Sequence, residues 1–219
     1  MRTIIGAAFV SLDGVMQAPG GPSEDPTLGF GHGGWVAPLA DEGFGAELDD
    51  LFGRDYDLLL GRRTYDIFAA YWPYAPDEMA DMRDAFDRCT KYVVTGSDTP
   101  LEWQNSRRVS IDDIAEIKAA EGPDIIIQGS STLYPQLLER DLIDRLSVMT
   151  FPVLLGSGKR LFGDGTPART LRKVADRVSG NTVIATYEPV GAVVTQAIAE
   201  QSTSERERRR QDLIARGDW

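Results

Sequence analysis

An apolar run at 58–60 ends in Gly61, Arg62, Arg63 and Thr64, which puts a glycine, two guanidinium groups and a hydroxyl at the start of a helix. The N–H groups of a first helical turn have no intrahelical acceptor; with a hydroxyl and forked cations beside them, they suit phosphate oxygens. Taken alone, the same residues also describe an ordinary helix start with two solvated arginines. A second apolar run, 125–127, leads through Gln128 to Gly129, followed by Ser130 and Ser131, either of which is placed to cap the helix TLYPQLLER. Pro135 falls early in that helix, where it is tolerated. Ligands bind outside the carboxyl ends of strands in open α/β sheets, so two such ends can hold two parts of one dinucleotide.

Other motifs carry less. The segment GSGKRLFGDG from Gly156 has Leu161 where a dinucleotide fingerprint needs its third glycine, and Arg160 where a P-loop needs Ser or Thr. Cys89 lies on an apolar helix face with Met79, Met82 and Phe86 and reads as core packing. One histidine, His32, and one cysteine exclude a His/Cys metal cluster. A formal charge of -11 opposes binding to nucleic acid, no run of ~20 apolar residues is present to span a membrane, and the N-terminus meets Asp13 before a signal-peptide pattern develops. A cytoplasmic chain without nucleic-acid or membrane partners is expected.

The elements that must position these residues alternate. A strand over 3–10 gives way to a Gly- and Pro-rich stretch at 17–34, which reads as a functional lid or as plain disorder. Helices are predicted over 44–52, 64–72 and 77–88, strands over 56–61 and 91–95, then a loop to Val109. Ser110 opens a short helix, with Asp113 three residues later at capping-box spacing. From Asp144 the pattern turns to strands, with Ser179, Gly180 and Asn181 as a tight antiparallel turn. The last residues, 191–219, read as a charged helical tail whose arginines, interleaved with Glu205 and Glu207, form a solvated face. The fold class is α/β, with a mixed, mostly parallel sheet and antiparallel C-terminal strands.

In this order SLDG at 11–14, LLLGRRTY at 58–65, YVVTG at 92–96, IIIQGSSTLYPQLL at 125–138 and LIDRLSVMTFPVLLGSGKRLF at 142–162 resemble the dihydrofolate-reductase-like superfamily. The resemblance is strongest to the bacterial branch related to the C-terminal reductase domain (RibD) of riboflavin biosynthesis. It implies a three-layer αβα domain over residues 1–190, NADPH as cofactor, and a homodimer. It also implies that Gly61, Arg62, Arg63 and Thr64 hold the pyrophosphate and 2′-phosphate, that Thr95, Gly96 and Ser97 lie beside the adenosine, and that Gln128, Gly129, Ser130, Ser131, Thr132 and Leu133 form the turn over the pyrophosphate and nicotinamide ribose.

For catalysis, the resemblance marks Asp13, which as an Asx-turn former is at least as well explained, and Glu47, which is better explained as a solvated helix residue. Trp35, Phe44 and Trp72 are candidates to stack on a flat substrate or to pack in the core. The expected activity is NADPH-dependent reduction of a small heterocyclic or carbonyl-like molecule, like that of dihydrofolate reductase or of 5-amino-6-(5-phosphoribosylamino)uracil reductase. Outside Arg160 and Arg169 there is no second basic cluster for the phosphate of the latter's substrate. The alternative is a noncatalytic, homodimeric NADPH- or small-ligand-binding protein.

Overall fold

The computed structural model describes residues 1–199 and 204–219. Its strands are β1 Ile4–Ser11, β2 Tyr56–Gly61, β3 Lys91–Val94, β4 Ser106–Val109, β5 Asp124–Gln128, β6 Arg145–Phe151, β7 Thr170–Ser179 and β8 Thr182–Gly191. Its α-helices are α1 Glu42–Phe52, α2 Arg62–Tyr71, α3 Ala80–Arg88, α4 Ile114–Ala119, α5 Leu133–Glu139 and α6 Glu205–Arg216. The strands form one sheet in the order β4-β3-β2-β5-β1-β6-β8-β7. Pairs from β4 to β6 are parallel, and β8 runs antiparallel to both β6 and β7.

Alternate residues of the central strands feed opposite faces, as the two-residue period of a strand requires. On one face Ile4, Ala8, Ile125 and Ile127 pack with Ile114 of α4 and with Leu133, Tyr134 and Leu137 of α5. On the other, Ala7, Leu58, Leu60 and Ile126 pack with Tyr65 of α2 and Phe86 of α3. Beside them Phe151, Met149 and Ile184 meet Trp35, Phe44 and Leu51. Helices on both faces cover a sheet whose middle strands are almost wholly apolar, which is the burial that a parallel sheet demands.

Three local expectations are corrected. The segment before Val109 is not all loop: Ser106–Val109 pairs in parallel with β3 as an edge strand whose Arg107 and Arg108 are exposed. Charged residues on an edge discourage further pairing. Ser110 and Asp113 form only half of a capping box: Asp113 Oδ2 accepts the Ser110 N–H at 2.6 Å, and the helix begins at Ile114. The tail is helical only from Glu205; residues 192–199 form no helix, and residues 200–203 lie outside those described. Among the described residues no helix is long and apolar enough to cross a membrane.

Candidate active site

The carboxyl ends of β1, β2 and β5 open into one cleft, lined from β1 by Ala7, Ala8 and Phe9, from β2 and α2 by Gly61, Arg62, Arg63, Thr64, Ile67 and Phe68, and from β5 by Gln128 to Thr132. Met16 to Pro19, Glu24, Asp25 and Lys159 close its other side. Thus the Gly/Pro-rich stretch is ordered as a loop over the cleft. The enclosed volume is about 130 Å³, below the ~300–1,000 Å³ of a site that swallows a small ligand whole.

Ser130 joins the two half-sites. Its Oγ accepts the Gly61 N–H at 2.7 Å and donates to Thr64 Oγ1 at 2.8 Å. The residue does not cap α5, whose N-terminal flank is Thr132 with no side-chain cap bond. To reach across, the chain holds Gly129 and Ser130 at φ of 79° and 63°, two left-handed residues in succession. A Cβ on Gly129 would stand 3.0 Å from Thr64 Cγ2, so glycine is required there for conformation and for space. The amide oxygen Oε1 of Gln128 is buried without a hydrogen-bond partner at the cleft wall. Such an orphan acceptor is what a ligand donor satisfies.

The two arginines differ. Arg62 Nε donates to both oxygens of Asp66 at 2.8 and 3.0 Å, and Nη1 donates to the Thr99 carbonyl at 3.0 Å. Arg63 is exposed at the cleft and, among the described residues, makes no hydrogen bond or ion pair. Arg108, passed over in sequence as part of a loop, donates to the same Thr99 carbonyl at 3.0 Å and to Asp98 at 2.8 Å. Two guanidinium groups therefore converge beside Thr95, Gly96 and Ser97, which lie at the end of β3, outside the cleft proper. Leu133 is core, and its N–H closes the turn on the Ser130 carbonyl at 2.8 Å.

The remaining candidates are placed around the cleft, not in its lining. Asp13 accepts from Ser11 Oγ at 2.6 Å, the Leu155 N–H at 3.1 Å and the Gly156 N–H at 2.8 Å. The Ser11 hydroxyl first, then the Leu155 N–H, hold its carboxyl down at about 2. This is the geometry of a turn clamp. Glu47 is buried in α1, where its oxygens accept from Ser147 Oγ at 2.9 Å and Arg177 Nη2 at 2.7 Å. Ser147 pairs in register with Ala7, which lines the cleft, so Glu47 stands one strand away. Trp35 and Phe44 set their rings edge-on to Phe151 at 5.7 Å, and Trp72 sits edge-on to Phe86 at 4.7 Å. The aromatic rings at the cleft are Phe9 and Phe68.

Sequence reading missed Gln17, Glu24, Asp25 and Lys159. Lys159 Nζ is paired with Asp25 and donates to Thr27 Oγ1 at 2.9 Å, while Gln17 Oε1 accepts the Lys159 N–H at 2.9 Å. Burial pushes the Asp25 carboxyl up, but the Lys159 ammonium and the Thr27 hydroxyl outweigh it, and the net position is below the ordinary range. The rejected GSGK motif has its use here. Gly158 has φ of 126°, and a Cβ on it would come within 2.6 Å of Val15, so only glycine lets Lys159 reach under the loop.

The model of the RibD C-terminal domain family matches residues 2–185. The uncharacterised protein YyaP of Bacillus subtilis (strain 168) is 28% identical over 189 residues, covering 84% of this chain and 92% of YyaP. Two solved structures share the fold. A Shewanella sp. PV-4 protein named for riboflavin biosynthesis superposes with a TM-score of 0.62 at 23% identity, covering 86% of this chain and 99% of its own. Dihydrofolate reductase from Enterococcus faecalis, complexed with NADP(H) and RAB-propyl, superposes with a TM-score of 0.54 at 17% identity, covering 85% of this chain and 96% of its own.

Proposed function

Because the chain belongs to the RibD C-terminal domain family, we propose that it is an NADPH-dependent reductase of a small heterocyclic or carbonyl-like molecule. The observation that carries this reading is the Ser130 bridge, which makes one continuous cradle of two strand ends. When bound, NADPH supplies the hydride. The chain's own residues bind, orient and exclude water. The Thr64 hydroxyl and the first N–H groups of α2 suit a pyrophosphate. Arg63 offers an uncommitted charge for a 2′-phosphate, with Arg62 and Arg108 converging nearby on Thr99. The unpartnered Gln128 Oε1 suits an N–H donor at the inner end, and Phe9 and Phe68 wall that end against water. The reading extends to a homodimer, supported by the exposed Val174, Val178 and Val183 of the β7–β8 hairpin.

The test is calorimetric titration of NADPH and NADH into the wild type, Arg62→Ala and Arg63→Ala. Arg63→Ala should weaken NADPH at least ~10-fold, the loss of one charge-assisted contact, and leave NADH unchanged. Arg62→Ala should have the smaller effect. Equal losses for both cofactors would remove the 2′-phosphate assignment, and no binding of either would remove the reductase reading.

A further inference from the structure

Helix α6 lies beyond residues 2–185, the part of the chain that the family model matches. It is closed at both ends by its own groups. Ser204 Oγ accepts the Glu207 N–H at 3.2 Å, and past Gly217, at φ of 74°, the Asp218 N–H reaches the Leu213 carbonyl at 3.0 Å. Arg206, Arg209, Arg210, Leu213 and Ile214 follow one another at i, i+3, i+4, i+7 and i+8, the spacing of a helix face that packs against something. All five are exposed, and α6 buries none of its residues. The Trp219 ring beyond it is 79% exposed, with the Arg210 guanidinium over it at 5.8 Å. A helix of 12 residues is marginal in water without tertiary packing. Glu207 pairs with Arg210; among the described residues Arg206 and Arg209 make no hydrogen bond or ion pair.

A complementary surface lies where the chain enters α3. The 3-10 turn Asp77–Met79 and the start of α3 expose Asp77, Glu78, Asp81 and Asp84, and Tyr71 and Tyr74 stand exposed just ahead of them. Arg83 is shared by Asp77 and Asp84 at 3.3 Å each, whereas Glu78 and Asp81 have no partner among the described residues. Other exposed carboxylates lack one half of this match. Asp98 and Asp112 are taken by Arg108 and Arg140, and Asp49 and Asp50 have no large exposed apolar side chain on their helix.

We infer that the Arg206, Arg209, Leu213 and Ile214 face of α6 docks on the Tyr74, Glu78 and Asp81 face of a second copy of this chain, the contact being made twice about a two-fold axis. The arginines meet the carboxylates, and Leu213, Ile214 and Trp219 cover the tyrosine rings. Sheet order favours a second copy over the helix's own body. Strand β8, from which the tail departs, stands five positions from β3, about 24 Å at the usual strand spacing. Strand β8 also ends where β6 starts, whereas α3 runs back to feed the start of β3 and so has its first turn toward the opposite end of the sheet. Residues 192–203 reach at most ~40 Å fully extended, so docking within one chain would draw them out and cost their conformational freedom. The inference does not rest on the reductase reading, and it gives the homodimer a contact apart from the β7–β8 hairpin.

A charge swap in the full chain tests this. One variant carries Arg206→Glu and Arg209→Glu, the other Glu78→Arg and Asp81→Arg. None of the four residues has a partner within its own chain among the described residues, so the fold should stay as it is. Self-association is measured by sedimentation equilibrium. Each variant alone should self-associate at least ~10-fold more weakly than the wild type, and raised salt should weaken the wild type in the same direction. An equimolar mixture should regain most of the loss, because the acidic α6 of one variant then faces the basic α3 of the other. Self-association undiminished in either variant would leave the contact to the hairpin and overturn the inference. A mixture no stronger than its components, the result that docking within one chain gives, or a wild type that stays monomeric would overturn it too.

Discussion

Ser130 holds a left-handed backbone conformation at φ of 63° in order to place one hydroxyl between two strand ends. Such a conformation costs a non-glycine residue ~1–3 kcal/mol, and it persists where its surroundings demand it. Ser130→Ala keeps that strain and strands the Gly61 N–H, so it should destabilise the fold by ~1–3 kcal/mol in urea unfolding. Ser130→Gly relieves the strain and should lie nearer the wild type in stability. Both should lose NADPH affinity. If Ser130→Ala were as stable as Ser130→Gly, the hydroxyl would not be holding the bridge. Asp13 supplies a pH prediction with a definite sign. Its folded carboxyl sits at about 2, held first by the Ser11 hydroxyl, below its unfolded value. Its contribution is therefore complete above the ordinary carboxylate range and is lost as pH falls through that range toward 2. Asp13→Asn should flatten the acid limb of a stability-against-pH curve and leave stability nearly independent of pH near neutrality. An acid limb of unchanged slope would refute the clamp. The glycines and hydroxyls of both half-sites were legible because strand, glycine and helix start follow one another in sequence. The bridge was not, since it links residues 69 and 66 positions apart. Nor was Lys159, whose meaning depends on Asp25 across 134 positions.

Helix α1 is fastened to the far end of the sheet at two points. Asp41 Oδ1 accepts both the Phe44 N–H at 3.0 Å, as an N-cap, and Ser179 Oγ at 2.8 Å. Glu47 binds Ser147 of β6 and Arg177 of β7. Glu47→Leu leaves the partly exposed Arg177 without its carboxylate and the buried Ser147 hydroxyl without its acceptor; the cost should be ~1–3 kcal/mol, less than for a wholly buried pair. Thermal unfolding measures that cost, and NADPH titration should show little change, because Glu47 does not line the cleft. A large loss of NADPH affinity at unchanged stability would instead place Glu47 in the binding site. The central strands were legible from apolar runs of β-branched and leucine residues, and the β7–β8 hairpin from Gly180 and Asn181. Strand β4 was not, because SRRV at an exposed edge buries too little to show a strand period. The start of α4 was misplaced because the Asp113 carboxylate serves the Ser110 N–H ahead of the helix and does not complete a reciprocal cap.

On the scale of the whole molecule, sheet order places the cleft. Strand β1 lies between β5 and β6, with β2 beyond β5, so the carboxyl ends of β1, β5 and β2 stand side by side. The loop after β1 and the segment carrying Lys159 close over them. Arg62 and Arg63 bring positive charge to the start of α2, and Glu24 and Asp25 line the same cleft, Asp25 paired with Lys159. The net charge of -11 makes this local positive site stand out against its surroundings. The most direct measurement is the thermal midpoint of the wild type and Ser130→Ala, each with excess NADPH or NADH. At ~100 times its Kd, NADPH should add about 2.7 kcal/mol, a rise of roughly 5–10 °C for a chain of this size. NADH should raise the midpoint less, and Ser130→Ala should lose most of both effects. No rise with NADPH, or a rise that survives intact in Ser130→Ala, would contradict a cofactor cradle built on the Ser130 bridge.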